Sequence, residues 1–413
     1  MKTITQISSI LISLLIVSCA KDVEPEYIDY VPDDADSATT ANLDTLEYLF
    51  LLEEGNWQSD NGQMSLITNG SIARNYFSEV NGTKIGDTPE DIILIPDQNM
   101  MAISVNWSNI VYFTDLKGKI IGQTEDIPNC RHMCTDGQYV YISSYAHKTA
   151  LGETYEKGYL AKISISDFSV VKTCEVGWEP EGVAYYNGKV FVANTGGYAF
   201  SENHDYDNTV MAVDAESMTV TDTVSIVNKS GQKVINLYGE LSQSGDYLCI
   251  NSPGDYYDVQ PSAVILNCAT LDYVVYDGIP ATYNTTLLSG KFFVVGSSFS
   301  YYTGEYKYNV GTIDPVSGVY TADSLETASG TFKATVKDEV DDMTNPYCCY
   351  QNPYTGHLYI VDATSYASPG RVYEFDEMGV LVTIDGKKYR SCYINAGHMI
   401  AVPPSLVRNL GLL

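Results

Sequence analysis

Glu179 and Glu181 flank Pro180 in the segment WEPEG, and two carboxylates converging on one mouth are the residue types that acid–base chemistry would need. The five histidines, at 132, 147, 204, 357 and 398, fall at no spacing that would gather them on one element around a metal. The chain has no G-x-S-x-G nucleophile elbow, no H-E-x-x-H helix, no phosphate-binding loop and no EF-hand loop. Asp205, Asp207, Asp255 and Asp258 could offer carboxylates to calcium, but without the pattern of a calcium loop. The acidic run KDEVDD, residues 337–342, reads as a solvated surface loop. No catalytic residue, metal or cofactor is assigned on this basis, and the chain is expected not to be an enzyme.

What the chain offers instead is aromatic surface, with 34 Tyr, 11 Phe and 3 Trp among 413 residues. These residues concentrate in polar segments: Trp57 in EEGNWQSDNGQ, Trp107 in VNWSN, Tyr145 in SSYAHKTALGETYEKG, and Tyr198, Phe200 and His204 in NTGGYAFSENHDYDN. Tyr256 and Tyr257 follow in SPGDYYDVQPS, Tyr301 and Tyr302 in GSSFSYYTGEYKYN, and Tyr366 in DATSYASPGR. An aromatic ring in a solvent-facing loop is costly to leave uncovered, so a set of them on one side suits a large flat or sugar-like ligand. The competing reading is that the rings pack on one another and stiffen long loops. Arg131, Trp178, Glu181 and Asn194, at the ends of neighbouring strands, complete the candidate ligand-binding set.

The elements that must carry these loops are hairpins. PEGVAYY and KVFVANT are joined by Asn187-Gly188, the pairing that a tight two-residue turn demands because both positions need positive φ. The second strand of this hairpin has seven relatives counting itself: EYLFLLEEG, MMAISVN, YVYISSY, KVFVANT, YLCINSP, KFFVVGS and HLYIVDA. First strands precede six of them, as PEDIILI, CRHMCTD, PEGVAYY, LYGELSQ, ATYNTTL and NPYCCYQ. A second hairpin follows each run, as in VMAVDAESMTVTDTV or VYEFDEMGVLVTI. Two hairpins make a four-stranded sheet, and seven such units predict an all-β, seven-bladed β-propeller over residues 45–413. The first unit lacks an innermost strand and SCYINAGHMIAVP lacks a blade, so N- and C-terminal strands are expected to close the ring together. Because successive connections in a blade alternate between faces, the aromatic loops and the blade-to-blade connections are expected to share one face.

Residues 1–18 carry a lysine and a short apolar run, too short to span a bilayer and suited to a secretory leader. Residues 19–44 are acidic and rich in Pro, Ser and Thr, as a flexible tether would be. A net charge of −29 excludes nucleic acid as a partner on electrostatic grounds. The eight cysteines beyond Cys19 form neither a disulfide framework nor a zinc spacing; most are expected to be buried free thiols, with a Cys249–Cys268 bridge left open.

Several of these segments resemble known families. Ile16-Val17-Ser18-Cys19 resembles a bacterial lipobox with Cys19 as the lipidated residue, and the Ala-Lys-Asp-Val-Glu after it looks like a surface-export tag. PEGVAYYNGKVFVANTGG, VDAESMTVTDTV and IDPVSGVYTAD resemble YVTN-type and quinoprotein-like seven-bladed propellers. EYLFLLEEGNW is similar to the opening of Bacteroidetes surface lipoproteins of that class, where Asn-Glu-Gly is usual and this chain has Glu53-Glu54-Gly55. The resemblance implies a lipid-anchored, outer-membrane protein at the cell surface, monomeric apart from its transporter. It also implies capture of cobalamin or a related corrinoid and delivery to a TonB-dependent outer-membrane transporter, the corrinoid being ligand and not cofactor. Glycan binding is the alternative, and a propeller hydrolase or lyase a further one.

Overall fold

The computed structural model describes residues 47–146, 156–197, 204–280, 284–301, 304–322, 325–327, 330–332, 335–384 and 386–412. The leader, Cys19 and the tether lie outside the described residues, as do Tyr198, Phe200 and Tyr302.

The Asn187-Gly188 turn adopts positive φ at both positions, 47° and 81°, and joins Pro180–Tyr186 to Lys189–Asn194. Thr209–Asp214 and Thr219–Ser225 continue the same antiparallel sheet outward. The chain repeats this unit as seven four-stranded sheets, a seven-bladed β-propeller. Neighbouring innermost strands touch all the way around the ring: Pro89–Ile95, Cys130–Thr135, Pro180–Tyr186, Tyr238–Ser244, Thr286–Leu288, Pro346–Gln351 and Ala396–Ala401.

Second strands such as Leu49–Glu53 are buried throughout, because each blade face packs on the next blade. Outer strands such as Thr219–Ser225 face water over most of their length. The core is therefore divided into layers between blades. One layer sets Ala102, Val111 and Phe113 against Val140, Ile142 and Ile163. Another sets Tyr359, Val361 and Val372 against Leu49, Leu51 and Met399.

The predicted closure is observed. Ala396–Ala401 forms the innermost strand of the sheet whose other strands are Leu49–Glu53, Gln63–Thr68 and Ser71–Ala73. The terminal helix Pro404–Leu410 then buries Val407 against this blade.

Three details differ from expectation or settle what it left open. The last blade takes its outer strand from Arg390–Ser391, while the GVLVTI segment makes only isolated bridges at Leu381 and Ile384. Thr335–Asp341 is a helix and not a loop, because Val336 and Val340, one turn apart, bury a stripe beneath the exposed Asp338 and Asp341. Cys249 and Cys268 are not bridged: they belong to the cores on opposite sides of their blade, and all eight described cysteines are free.

Candidate functional site

Six of the innermost strands break register at the same end, where they enter the central channel. The breaks fall at Pro89/Asp91, Cys130/Met133, Pro180/Val183, Tyr238/Ser242 and Pro346/Cys348, and opposite Leu52/Glu53 in the closing strand. A β-bulge inserts residues that the partner strand does not match and re-aims side chains. Here the inserted positions carry Glu90, Arg131, His132, Glu181, Glu240 and Tyr347. Gly182 and Gly239 sit where adjacent inner strands meet, and a Cβ on Gly182 would lie 2.3 Å from the Gly239 carbonyl oxygen.

Arg131 is the hub of this ring. Its Nε donates to Glu181 Oε1 and Oε2 at 3.0 and 3.1 Å, and its Nη1 to Glu90 Oε2 at 2.8 Å. Nη2 lies 2.8 Å from Glu90 Oε1 and donates to Tyr238 Oη at 3.2 Å. The rings of Tyr145 and Tyr238 sit 5.3 and 5.9 Å from its Cζ, and Tyr145 Oη donates to Glu181 Oε1. All three charged groups are buried. Burial pushes the Glu181 carboxyl up to about 7, against the pull of Arg131 and with the help of Glu90. Glu54 is pushed to about 8 by burial and by Glu90, although Tyr347 Oη donates to it at 2.8 Å.

A second cluster lies beside this one. His398 Nδ1 is 3.6 Å from Asp91 Oδ1 and 3.6 Å from Glu240 Oε2. Burial opposes charge on His398, but the nearby carboxylates of Glu240 and Asp91 outweigh it and hold its pKa at about 9. His132 is driven the other way, well below its ordinary value, by burial and by the charges of His398 and Arg131. Asp91 is pushed up to about 7, chiefly by burial.

Above the channel, the aromatic loops meet in pairs. Trp57 packs edge-on against Trp107 with centroids 5.1 Å apart, and Tyr257 stacks on Tyr301 of the next blade at 5.1 Å. Trp178 stacks on His204 at 4.2 Å, with His204 Nε2 3.2 Å from Glu179 Oε1. Tyr366 packs edge-on against Tyr347 at 5.7 Å. Ring packing between loops is thus realised, yet Trp57, Tyr256, Tyr301 and Tyr366 remain between 41 and 54% exposed.

The candidate residues therefore separate into groups. Trp57, Trp107, Trp178, His204, Tyr256, Tyr257, Tyr301 and Tyr366 form the loop face, while Arg131, Tyr145 and Glu181 form the buried hub. Asn194 belongs to neither. It is fully buried, accepts from the Gly177 amide at 3.0 Å and donates to Thr209 Oγ1 at 3.1 Å, so it ties its blade together. Glu179 and Glu181 do not act as a pair: one faces His204 and the other Arg131. Sequence reasoning missed Glu54, Glu90, Asp91, Glu240 and the meeting of His132 with His398. The legible signal was a charged residue one or two places into four of the six first strands, as in PED, CRH, PEG and YGE.

Glu53, on the closing blade, gives a pH prediction separate from both clusters. Its carboxylate accepts from the Tyr393 amide and Ser65 Oγ, each at 2.8 Å, and burial still lifts it to about 7. A carboxyl whose folded pKa is raised stabilises the protein below its unfolded value, near 4.5, and that stabilisation is lost as pH rises through the folded value. Denaturant titration is expected to show Glu53 contributing a loss of about 3 kcal/mol between pH 5 and pH 8. Glu53→Gln should flatten that part of the curve, and a slope unchanged by the substitution would refute the assignment.

No protein-family model and no curated protein matches the chain. Solved structures match it in fold. A Bacteroides uniformis protein carrying a 6-phosphogluconolactonase name aligns at 11% identity over 87% of this chain and all (100%) of its own, with a TM-score of 0.55. A Bacteroides fragilis protein of the same name aligns at 11% over 89% and 100%, with a TM-score of 0.53. The periplasmic gluconolactonase of Pseudomonas aeruginosa aligns at 12% over 86% and 99%, with a TM-score of 0.51. The expectation that the chain is not an enzyme is corrected here: this architecture is shared with proteins named as lactonases, so the absence of a hydrolase sequence motif is no ground for excluding catalysis. The chain is a seven-bladed β-propeller similar in fold to proteins of the 6-phosphogluconolactonase type.

Proposed function

We propose that this propeller binds a large small-molecule ligand on its aromatic face, over the mouth of the channel, and that the ligand is a corrinoid. The reading rests on one observation: rings from successive blades pair on the loop face and still leave Trp57, Tyr256, Tyr301 and Tyr366 about half-exposed. Rings already braced by a neighbour lose little further freedom when a ligand packs on them. A corrinoid matches such a face with a broad apolar plane and a rim of amide arms. In this reading Cys19 carries the lipid anchor, the protein is displayed at the outer membrane, and the ligand passes to a TonB-dependent transporter.

Calorimetry of the full chain with cobalamin tests the reading. Trp57→Ala and Tyr301→Ala are each expected to weaken binding about tenfold, as loss of an interface anchor does. No heat of binding at micromolar cobalamin, or glycan binding abolished by Trp57→Ala, would overturn the corrinoid assignment.

A second reading, acid–base turnover of a ligand in the channel, is favoured by Glu240. Its side chain is 39% exposed and lies 3.6 Å from the buried His398, so an entering ligand could reach the carboxylate while the imidazole behind it holds the proton. Hydrolysis of a gluconolactone that Glu240→Gln abolishes without loss of fold would support it, and an unchanged rate would exclude it.

A further inference from the structure

His132 has an arrangement that neither reading uses. Its side chain is 1% exposed, and neither ring nitrogen makes a hydrogen bond. Nδ1 lies 3.8 Å from Asp91 Oδ2 and Nε2 lies 3.5 Å from Glu181 Oε2, both too far for a well-formed bond. A buried polar atom without a partner is costly, so a group that satisfies this imidazole would stabilise the fold. Neither neighbouring carboxylate is that group as it stands.

Ring closure supplies an alternative. His132 is on the third blade's inner strand and His398 on the closing strand, yet their ring centroids are 5.3 Å apart at 53°. Asp91 lies between them, and the candidate donor atoms of Asp91, His132 and His398 all fall within 4.8 Å of one another. Asp91 is held in place by two amides: Ile92 N donates to Oδ1 at 2.8 Å and Met133 N to Oδ2 at 2.7 Å. Each carboxylate oxygen keeps a further lone pair for a ligand. Glu240 Oε2, 3.6 Å from His398 Nδ1, flanks the cluster at that one histidine from the part-exposed side.

We propose that Asp91, His132 and His398 bind a divalent transition-metal ion of the zinc class, with Glu240 beside His398 as the outer carboxylate that orients its ring. Two imidazoles with a carboxylate select zinc, cobalt, iron or copper over calcium and magnesium, which take oxygen ligands. Nitrogen and oxygen donors around tetrahedral zinc stand about 3.4 Å from one another. The carboxylate–imidazole separations of 3.6 and 3.8 Å need only a small contraction to reach that geometry. Glu90, His132 and Glu181 form a second triplet around the other ring nitrogen, but Arg131 already occupies both of those carboxylates with its N–H groups. The metal site is independent of what occupies the aromatic face.

Cobalt(II) titration of the chelator-treated full chain provides the test. One equivalent is expected to bring up visible d–d absorption, with no thiolate charge-transfer band in the near ultraviolet, and zinc(II) should displace it. His398→Gln should abolish the visible bands. Glu240→Gln, at a part-exposed position beside His398, should weaken cobalt binding about tenfold or more even if the His398 variant folds poorly. His204→Gln, outside the cluster, should leave the titration unchanged. Absence of stoichiometric cobalt binding, a thiolate band, or binding unaltered by both the His398 and Glu240 substitutions would overturn the proposal.

Discussion

Arg131→Leu is expected to destabilise the protein by about 3–5 kcal/mol at pH 8 and by far less at pH 5, read as the free energy of urea unfolding. Glu90 and Glu181 are both buried, and the guanidinium supplies the charge and most of the donors that satisfy them. Leucine fills part of the volume and leaves two carboxylates in a low-dielectric channel. Burial has already lifted Glu181 to about 7 with Arg131 present; without it the carboxyl should titrate higher still. The sign follows from linkage. A folded pKa above the unfolded value means that stability is lost as pH rises, so the penalty is smaller at pH 5, where the folded Glu181 carboxyl holds its proton. Arg131→Lys should recover only part of the loss, because an ammonium cannot face Glu181 through two bonds and Glu90 through two more. An equal loss at both pH values would instead assign the effect to packing. Arg131 is thus better described as the keystone of the channel than as the free ligand contact expected from sequence.

The strands were legible because burial between blades imposes a strong pattern. A strand covered on both faces must be apolar along its length and must break into polar residues where it leaves, and KVFVANT and YVYISSY do both. Closure was legible by complement: EYLFLLEEG lacks a first strand before it and SCYINAGHMIAVP lacks a blade, and joining them leaves no open edge. Arg390–Ser391 was not legible, since two residues at an outer edge carry no periodicity.

The channel was hidden by its bulges. One extra residue turns a side chain from the blade into the axis without altering composition, so PED and PEG read as ordinary strand starts. His132 and His398 could not be linked by spacing, because only closure of the ring brings the last strand beside the earlier ones. Asn194 shows the converse error. A polar residue at a strand end looks available to a ligand until its amide is seen to be consumed within the blade.

Ending the chain at Arg390 is expected to abolish the folded monomer, because the closing strand fills the innermost place of its blade. The deletion would remove Ile394, Met399, Val402 and Val407 from buried positions. At about 2 kcal/mol for each large apolar side chain, this loss approaches the whole stability of an ordinary domain. It would also strip Leu49–Glu53 of its inner partner and Glu53 of the Tyr393 amide, exposing an unpaired apolar edge along the channel. Such an edge is a template for another chain, so size-exclusion chromatography with light scattering should find dimers or aggregates, with loss of near-ultraviolet circular dichroism. Adding a peptide of residues 391–413 should restore the monomer and its spectrum, since the missing strand pairs through backbone bonds and a covalent link is not required. A truncated chain that stayed monomeric and equally stable would show that three strands suffice in this blade, and that closure by both ends of the chain is not what holds the ring.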